Sequence, residues 1–93
     1  MLLFRVKVKG HSMEPSLKNN QIAIASSLPY FFRKPRVGDI VVLSLGKCII
    51  KRIIKVKENE IFIVGDNNKE STDSRDFGWI SKRKIIGKVI CKI

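Results

Sequence analysis

The stretch Ile40-Val41-Val42-Leu43-Ser44-Leu45-Gly46-Lys47-Cys48-Ile49-Ile50-Lys51-Arg52-Ile53-Ile54-Lys55-Val56 decides the fold. Two runs rich in β-branched residues flank Gly46-Lys47, which reads as a tight turn, so the stretch predicts a β-hairpin. Side chains alternate across a strand, so Ile49, Lys51 and Ile53 share one face while Ile50, Arg52 and Ile54 share the other. Both faces carry isoleucines, and both are therefore expected to be covered by protein. Each face also holds one cation between two isoleucines. Such a cation is costly unless it is paired, neutral, or reaches a sheet rim with its head in water.

Outward from the hairpin the chain continues in short strands. Phe4-Arg5-Val6-Lys7-Val8-Lys9 alternates apolar and basic residues, the period of a half-buried strand. Gln21-Ile22-Ala23-Ile24-Ala25, Glu60-Ile61-Phe62-Ile63-Val64 and the closing run from Ile85 to Ile93 are further candidates. Residues 12 to 17 have room for one short turn, and residues 28 to 36 read as a loop packed down by its aromatics. No stretch sustains a helical period. The expectation is an all-β fold, a small compact β-barrel or folded sheet with few or no helices.

Ninety-three residues make a single domain, residues 1–93. Apolar residues are 44% of the chain, too many for a disordered one. Cys48 and Cys91 both lie inside apolar runs and are expected as buried thiols in a reducing compartment, with a disulfide the lesser alternative. Nineteen Lys and Arg against eight Asp and Glu give a net charge of +11. Six of those acids fall between residues 58 and 76, which leaves the remainder strongly basic. That charge suits an acidic partner or a solvated surface, and no basic stripe at helical spacing favours nucleic acid. Met1-Leu2-Leu3-Phe4 is cut short by Arg5, so no secretory or membrane-spanning segment is expected, and the chain reads as soluble and cytoplasmic.

Three places carry chemistry. Ser12 stands where the first strand breaks at Gly10, in Gly10-His11-Ser12-Met13-Glu14-Pro15, clear of any ladder. His11 is the only histidine, but neighbours in an extended chain point in opposite directions, so it is badly placed as a base for Ser12. Lys51, flanked by Ile49 and Ile53, is the alternative base. Holding a lysine neutral near pH 8 takes roughly 3 kcal/mol of desolvation, which such a flank can supply. The third place is residues 65 to 78, a polar loop long for a bare connection, in which Asp73 and Arg75 are able to pair. One histidine and two distant cysteines do not make a closed metal site, so no metal and no cofactor are expected.

In this order the blocks Gly10 to Leu17, Gly38-Asp39-Ile40-Val41, Lys51-Arg52-Ile53 and Gly65 to Gly78 resemble the signal peptidase I family of serine proteases. Within that family, Gly65-Asp66-Asn67, Glu70-Ser71-Thr72-Asp73-Ser74-Arg75 and Phe77-Gly78 are most similar to the nickel-type superoxide dismutase maturation proteases. The resemblance implies the β fold of a signal peptidase catalytic core and a Ser/Lys dyad. Ser12 would be the nucleophile, Lys51 the general base, and Ser71 the hydroxyl that orients the lysine amine. Asp73 and Arg75 would support the loop, the Ser12 amide would donate to the oxyanion, and Met13 and Pro15 would shape the turn beside the substrate groove. Some bacterial signal peptidases carry a hydroxyl two residues before the nucleophile as a second oxyanion donor; here that position is Gly10. The implied function is removal of an N-terminal leader from a precursor protein bound as an extended strand, with the nickel dismutase precursor foremost. Processing of exported proteins is the alternative, and a basic nucleic-acid-binding barrel is a rival from a different class. Tyr30-Phe31-Phe32-Arg33-Lys34 suits a membrane interface, although membrane contact is the less favoured expectation.

Overall fold

The computed structural model describes residues 3–67 and 73–93. Seven strands form one antiparallel sheet: β1 (Phe4–Lys7), β2 (Ile22–Ser26), β3 (Ile40–Ser44), β4 (Cys48–Val56), β5 (Glu60–Val64), β6 (Ile80–Ser81) and β7 (Ile85–Lys92). Their spatial order is β1-β2-β7-β3-β4-β5-β6, and the sheet curls into a half-barrel. Two four-residue helices, α1 (Pro29–Phe32) and α2 (Ser74–Phe77), and a 3₁₀ turn at Lys82–Lys84 complete the described elements.

The hairpin expected at residues 40–56 is the centre of the sheet. Val41 pairs with Lys51, Val42 with Ile50 and Leu43 with Ile49. Gly46 has φ 79°, the left-handed conformation that glycine adopts without strain, and it closes the turn as Leu45 N–H donates to the Lys47 carbonyl. Val41, Val42 and Leu43 are all fully buried, which is the signature of a strand covered on both faces.

Two apolar clusters supply that cover. Val42 and Ile50 join Val8, Met13, Leu17, Ala23 and Ala25 on one side. Val41, Leu43 and Ile53 join Ile61 and Ile63 on the other. Each fully buried Leu, Ile or Met contributes about 1.5–3 kcal/mol of transfer free energy.

The curl has local causes. Register slips occur at Ile24/Ala25 against β7, at Val42/Leu43 against β7, and at Ile53/Lys55 against β5, and bulges of this kind bend a strand and sharpen its twist. Gly87 lies where strands crowd: a Cβ there would stand 2.9 Å from the Ser26 carbonyl oxygen and 3.2 Å from the Phe4 ring.

Several expectations are corrected by the structure. Residues 29–32 form a helical turn opened by Pro29, whose missing N–H costs nothing at a helix start. Only Tyr30 packs inward there; Phe31 and Phe32 are 71% and 82% exposed. Cys48 and Cys91 are exposed and unpaired rather than buried. Cys48 opens β4 beside the turn, and Cys91 lies near the end of β7, where neither face is covered. Ile80–Ser81 adds a two-residue strand to β5, docked by an edge-to-face contact of Trp79 on Phe62 at 5.5 Å. None of the helices is long and apolar enough to cross a membrane, among the described residues.

Candidate active site

Ser12 lies in the turn that follows β1. Gly10, at φ 83°, takes the chain out of the ladder, and its N–H donates to the Asn19 side chain at 2.8 Å. Val8 and Asn20 close the base of this excursion: Val8 N–H donates to Gln21 O, and Asn20 N–H donates to Val8 O. Met13, 1% exposed, plugs the turn into the core, and Leu17 N–H donates back to Met13 O in a single helical turn. Asn67 then holds the turn from outside. Its backbone N–H donates to Ser12 O at 2.8 Å and its side-chain amide to His11 O at 3.0 Å. The amide N–H and the hydroxyl of Ser12 itself meet no partner among the described residues.

Lys51 is positioned by β4, opposite Val41 in the register and between Ile49 and Ile53 on one face. It is 5% exposed. Burial pushes its amine below the ordinary lysine pKa, Arg75 and Lys47 push it further down, and the carboxylates of Asp73 and Asp76 oppose them. Ser12 and Lys51 line the same cavity, of about 740 Å³, together with Met13 and Gly10.

Asp73 anchors the returning loop and has no exposed surface. One carboxylate oxygen accepts from Gly65 N–H at 2.8 Å and from an Arg75 guanidinium nitrogen at 2.7 Å. The other accepts from the backbone and Nε of Arg75, each at 3.0 Å. Asp73 thereby caps α2 in a capping box with Asp76. Ser74 Oγ accepts from Ile63 N–H at 2.9 Å, which ties the same loop to β5.

The structure thus brings Ser12, Met13 and Lys51 to one cavity and joins Asp73 to Arg75. Pro15 is exposed, follows a cis peptide bond and does not line the cavity. Ser71 lies outside the described residues.

Arg52, on the opposite face of β4, is paired. Its Nε and a terminal nitrogen each donate to Asp66 at 2.9 Å, and Asp66 also accepts from Ser16 Oγ at 2.6 Å. The guanidinium holds the Asp66 carboxyl below the usual carboxylate range. This network fastens the far end of the Ser12 turn to β4, next to the buried lysine. Sequence reasoning assigned no role to Asp66 or Asn67; their place directly after Gly65 in the quoted loop was the available signal. His11 is held by Glu14, at 2.6 Å from its Nδ1, and so faces away from any duty toward Ser12.

Comparison with known proteins places the chain among peptidases. The chain belongs to the Peptidase S24-like family, whose sequence model matches residues 2–90. It is 30% identical to mitochondrial inner membrane protease subunit 1 of Homo sapiens, over 95% of this chain and 68% of that protein. It is 23% identical to probable signal peptidase I-1 of Synechocystis sp., over 89% of this chain and 67% of that protein. Against signal peptidase I of Leptolyngbya laminosa the identity is 24%, over 91% of this chain and 66% of that protein. The chain therefore spans about two thirds of the length of these three relatives.

Proposed function

We propose that residues 1–93 form a catalytic domain that cleaves an N-terminal segment from a precursor protein, with Ser12 as nucleophile and Lys51 as general base. The observation that carries this reading is a lysine, 5% exposed and held below its ordinary pKa by burial, on the wall of the cavity that Ser12 also lines. A neutral amine takes the Ser12 proton as Oγ attacks the scissile carbonyl. The unpartnered Ser12 N–H donates to the oxyanion. The lysine then passes the proton to the leaving amine, and water releases the acyl-enzyme. Asp73 and Arg75 act by holding the loop, and Ser71 is the candidate for orienting the amine.

The substrate we propose is a nickel-type superoxide dismutase precursor in the cytoplasm; this rests on the resemblance of residues 65–78 alone. The second reading is signal peptidase-like processing at a membrane surface. It is favoured by the exposure of Phe31 and Phe32 beside Arg33 and Lys34, and by what the relatives are called.

The test offers the purified protein two peptides, one spanning a dismutase leader junction and one a secretory signal junction. Cleavage of the first alone supports the first reading; cleavage of the second alone, with Phe31- and Phe32-dependent binding to anionic vesicles, supports the second. Ser12→Ala and Lys51→Ala should each lower kcat/KM by about 10³-fold or more while leaving the fold intact. Full activity of Lys51→Ala refutes the dyad.

A further inference from the structure

The cavity beside Ser12 runs between two strand edges that, among the described residues, no further strand pairs. β1 is an edge strand, paired only with β2, and residues 6–13 line the cavity without a break. Facing them, β4 pairs with β3 from Cys48 onward but with β5 only from Arg52, and residues 47–51 line the cavity consecutively. Side chains alternate along a strand, so unbroken lining by successive residues means that backbone as well as side chains borders the groove. An extended peptide suits such a groove, since it can complete both ladders.

The charge of the walls narrows the kind of peptide. Lys7, Lys9, His11, Lys47 and Lys51 line the groove, and among the described residues no Asp or Glu does. Among the described residues no ion pair involves Lys7, Lys9 or Lys47. The nearby acids among the described residues are engaged elsewhere: Glu14 with His11, Asp73 with Arg75, and Asp76 with the Asp73 N–H in the helix cap. Lys47 is close enough that its charge bears on the Lys51 amine. Apolar walls at Val8, Ile49 and Phe77 complete a groove that is greasy along its sides and cationic at its mouth.

We infer that this groove selects extended peptides carrying an acidic side chain three or four residues from the scissile bond, with Lys47 and Lys9 as the residues that determine this preference. The inference rests on the endopeptidase reading above and deepens it. Lys47 stands four positions before Lys51, and Lys9 three positions before Ser12 with the Gly10 bend between them. Successive antiparallel pairings from β1 through β2, β7 and β3 make β1 and β4 run the same way, so a peptide strand between them meets both cations on the same side of the reacting carbonyl. A basic residue at that position is repelled, and a neutral one leaves the lysines solvated.

The experiment is a charge scan. Either junction peptide is prepared with Asp, Asn or Lys at each of the four residues on both sides of the bond. Wild-type protein should cleave the best Asp peptide about tenfold faster, in kcat/KM, than its Asn counterpart, and the Lys peptide slowest. The spread should shrink between 50 mM and 500 mM salt, as screening predicts. Lys47→Glu and Lys9→Glu, alone or together, should reverse the order. The same peptides are also titrated onto Ser12→Ala, where affinity is read without cleavage and should follow the same order. Equal cleavage of Asp, Asn and Lys peptides overturns the inference and leaves the peptidase reading standing. An acidic preference in binding to Ser12→Ala, with no peptide cleaved by wild type, upholds the inference and overturns the peptidase reading. Flat binding and flat cleavage by the charge-reversed proteins refute the role of the two lysines.

Discussion

Asp73 is where loss of one carboxylate has the largest calculable effect. In Asp73→Ala the Gly65 N–H loses its acceptor in a position with no solvent access, which costs about 1–3 kcal/mol. Helix α2 loses its cap, worth about 1 kcal/mol. Arg75 adds little, because its side chain is 39% exposed and water can take the place of the carboxylate. The total is about 2–4 kcal/mol, or a fall in Tm of roughly 10–25 °C for a domain of this size. Thermal denaturation followed by circular dichroism measures it. The milder Asp73→Asn keeps one acceptor oxygen and folds well enough for kinetics. There the effect is electrostatic: the carboxylate that raises the Lys51 pKa is gone, while Arg75, which lowers it, remains. In the proposed dyad the neutral amine is the base, so the ascending limb of kcat/KM against pH should move to lower pH. A Tm for Asp73→Ala within 3 °C of wild type, or a limb that moves to higher pH in Asp73→Asn, refutes this account of the loop.

Three more outcomes are expected. The folded pKa of Lys51 lies below its unfolded value of about 10.4, so its contribution to stability is complete only above that value and is lost as pH falls through the folded pKa. Lys51→Met removes that loss and should stabilise the protein at pH 7 by about 1 kcal/mol in urea melts, while abolishing cleavage if the proposed dyad holds. Arg52→Met breaks the bidentate pair with Asp66 and should cost about 1–2 kcal/mol in the same melts, with a further drop in kcat as the Ser12 turn loosens. The folded pKa of Asp66 is depressed, so the stability this pair supplies is present above pH 4 and disappears as pH falls through the folded value. Gly87→Ala places a methyl 2.9 Å from a backbone oxygen and should destabilise by about 1–3 kcal/mol, read as a lower urea midpoint.

How much of this was legible in the chain follows from the range of each signal. The hairpin at 40–56 could be read because its period, its turn residue and its two-sided apolar character are all local. Helix α1 and strand β6 could not, since four residues and two residues are too short to show a period. Whether Arg52 is paired or reaches a rim could not be decided, because its partner lies fourteen positions away and nothing in the sequence ranks Asp66 above the other acids of that loop. The cysteines misled because an apolar run signals a strand but not which of its residues face protein. Ser12 and Lys51 could each be named from local pattern and from family resemblance. That they border one cavity depends on the curl of the sheet, which bulges at three register slips produce and no residue pattern announced.

β1 has a further consequence. A sheet edge left open for a peptide is equally open to the edge of a second molecule, and most proteins cover or shorten such strands. Here the protection is electrostatic: Arg5, Lys7 and Lys9 punctuate the edge, so two copies approaching strand to strand bring like charges together. The edge therefore repels its own kind. Neutralising those three residues would leave it free to seed self-assembly.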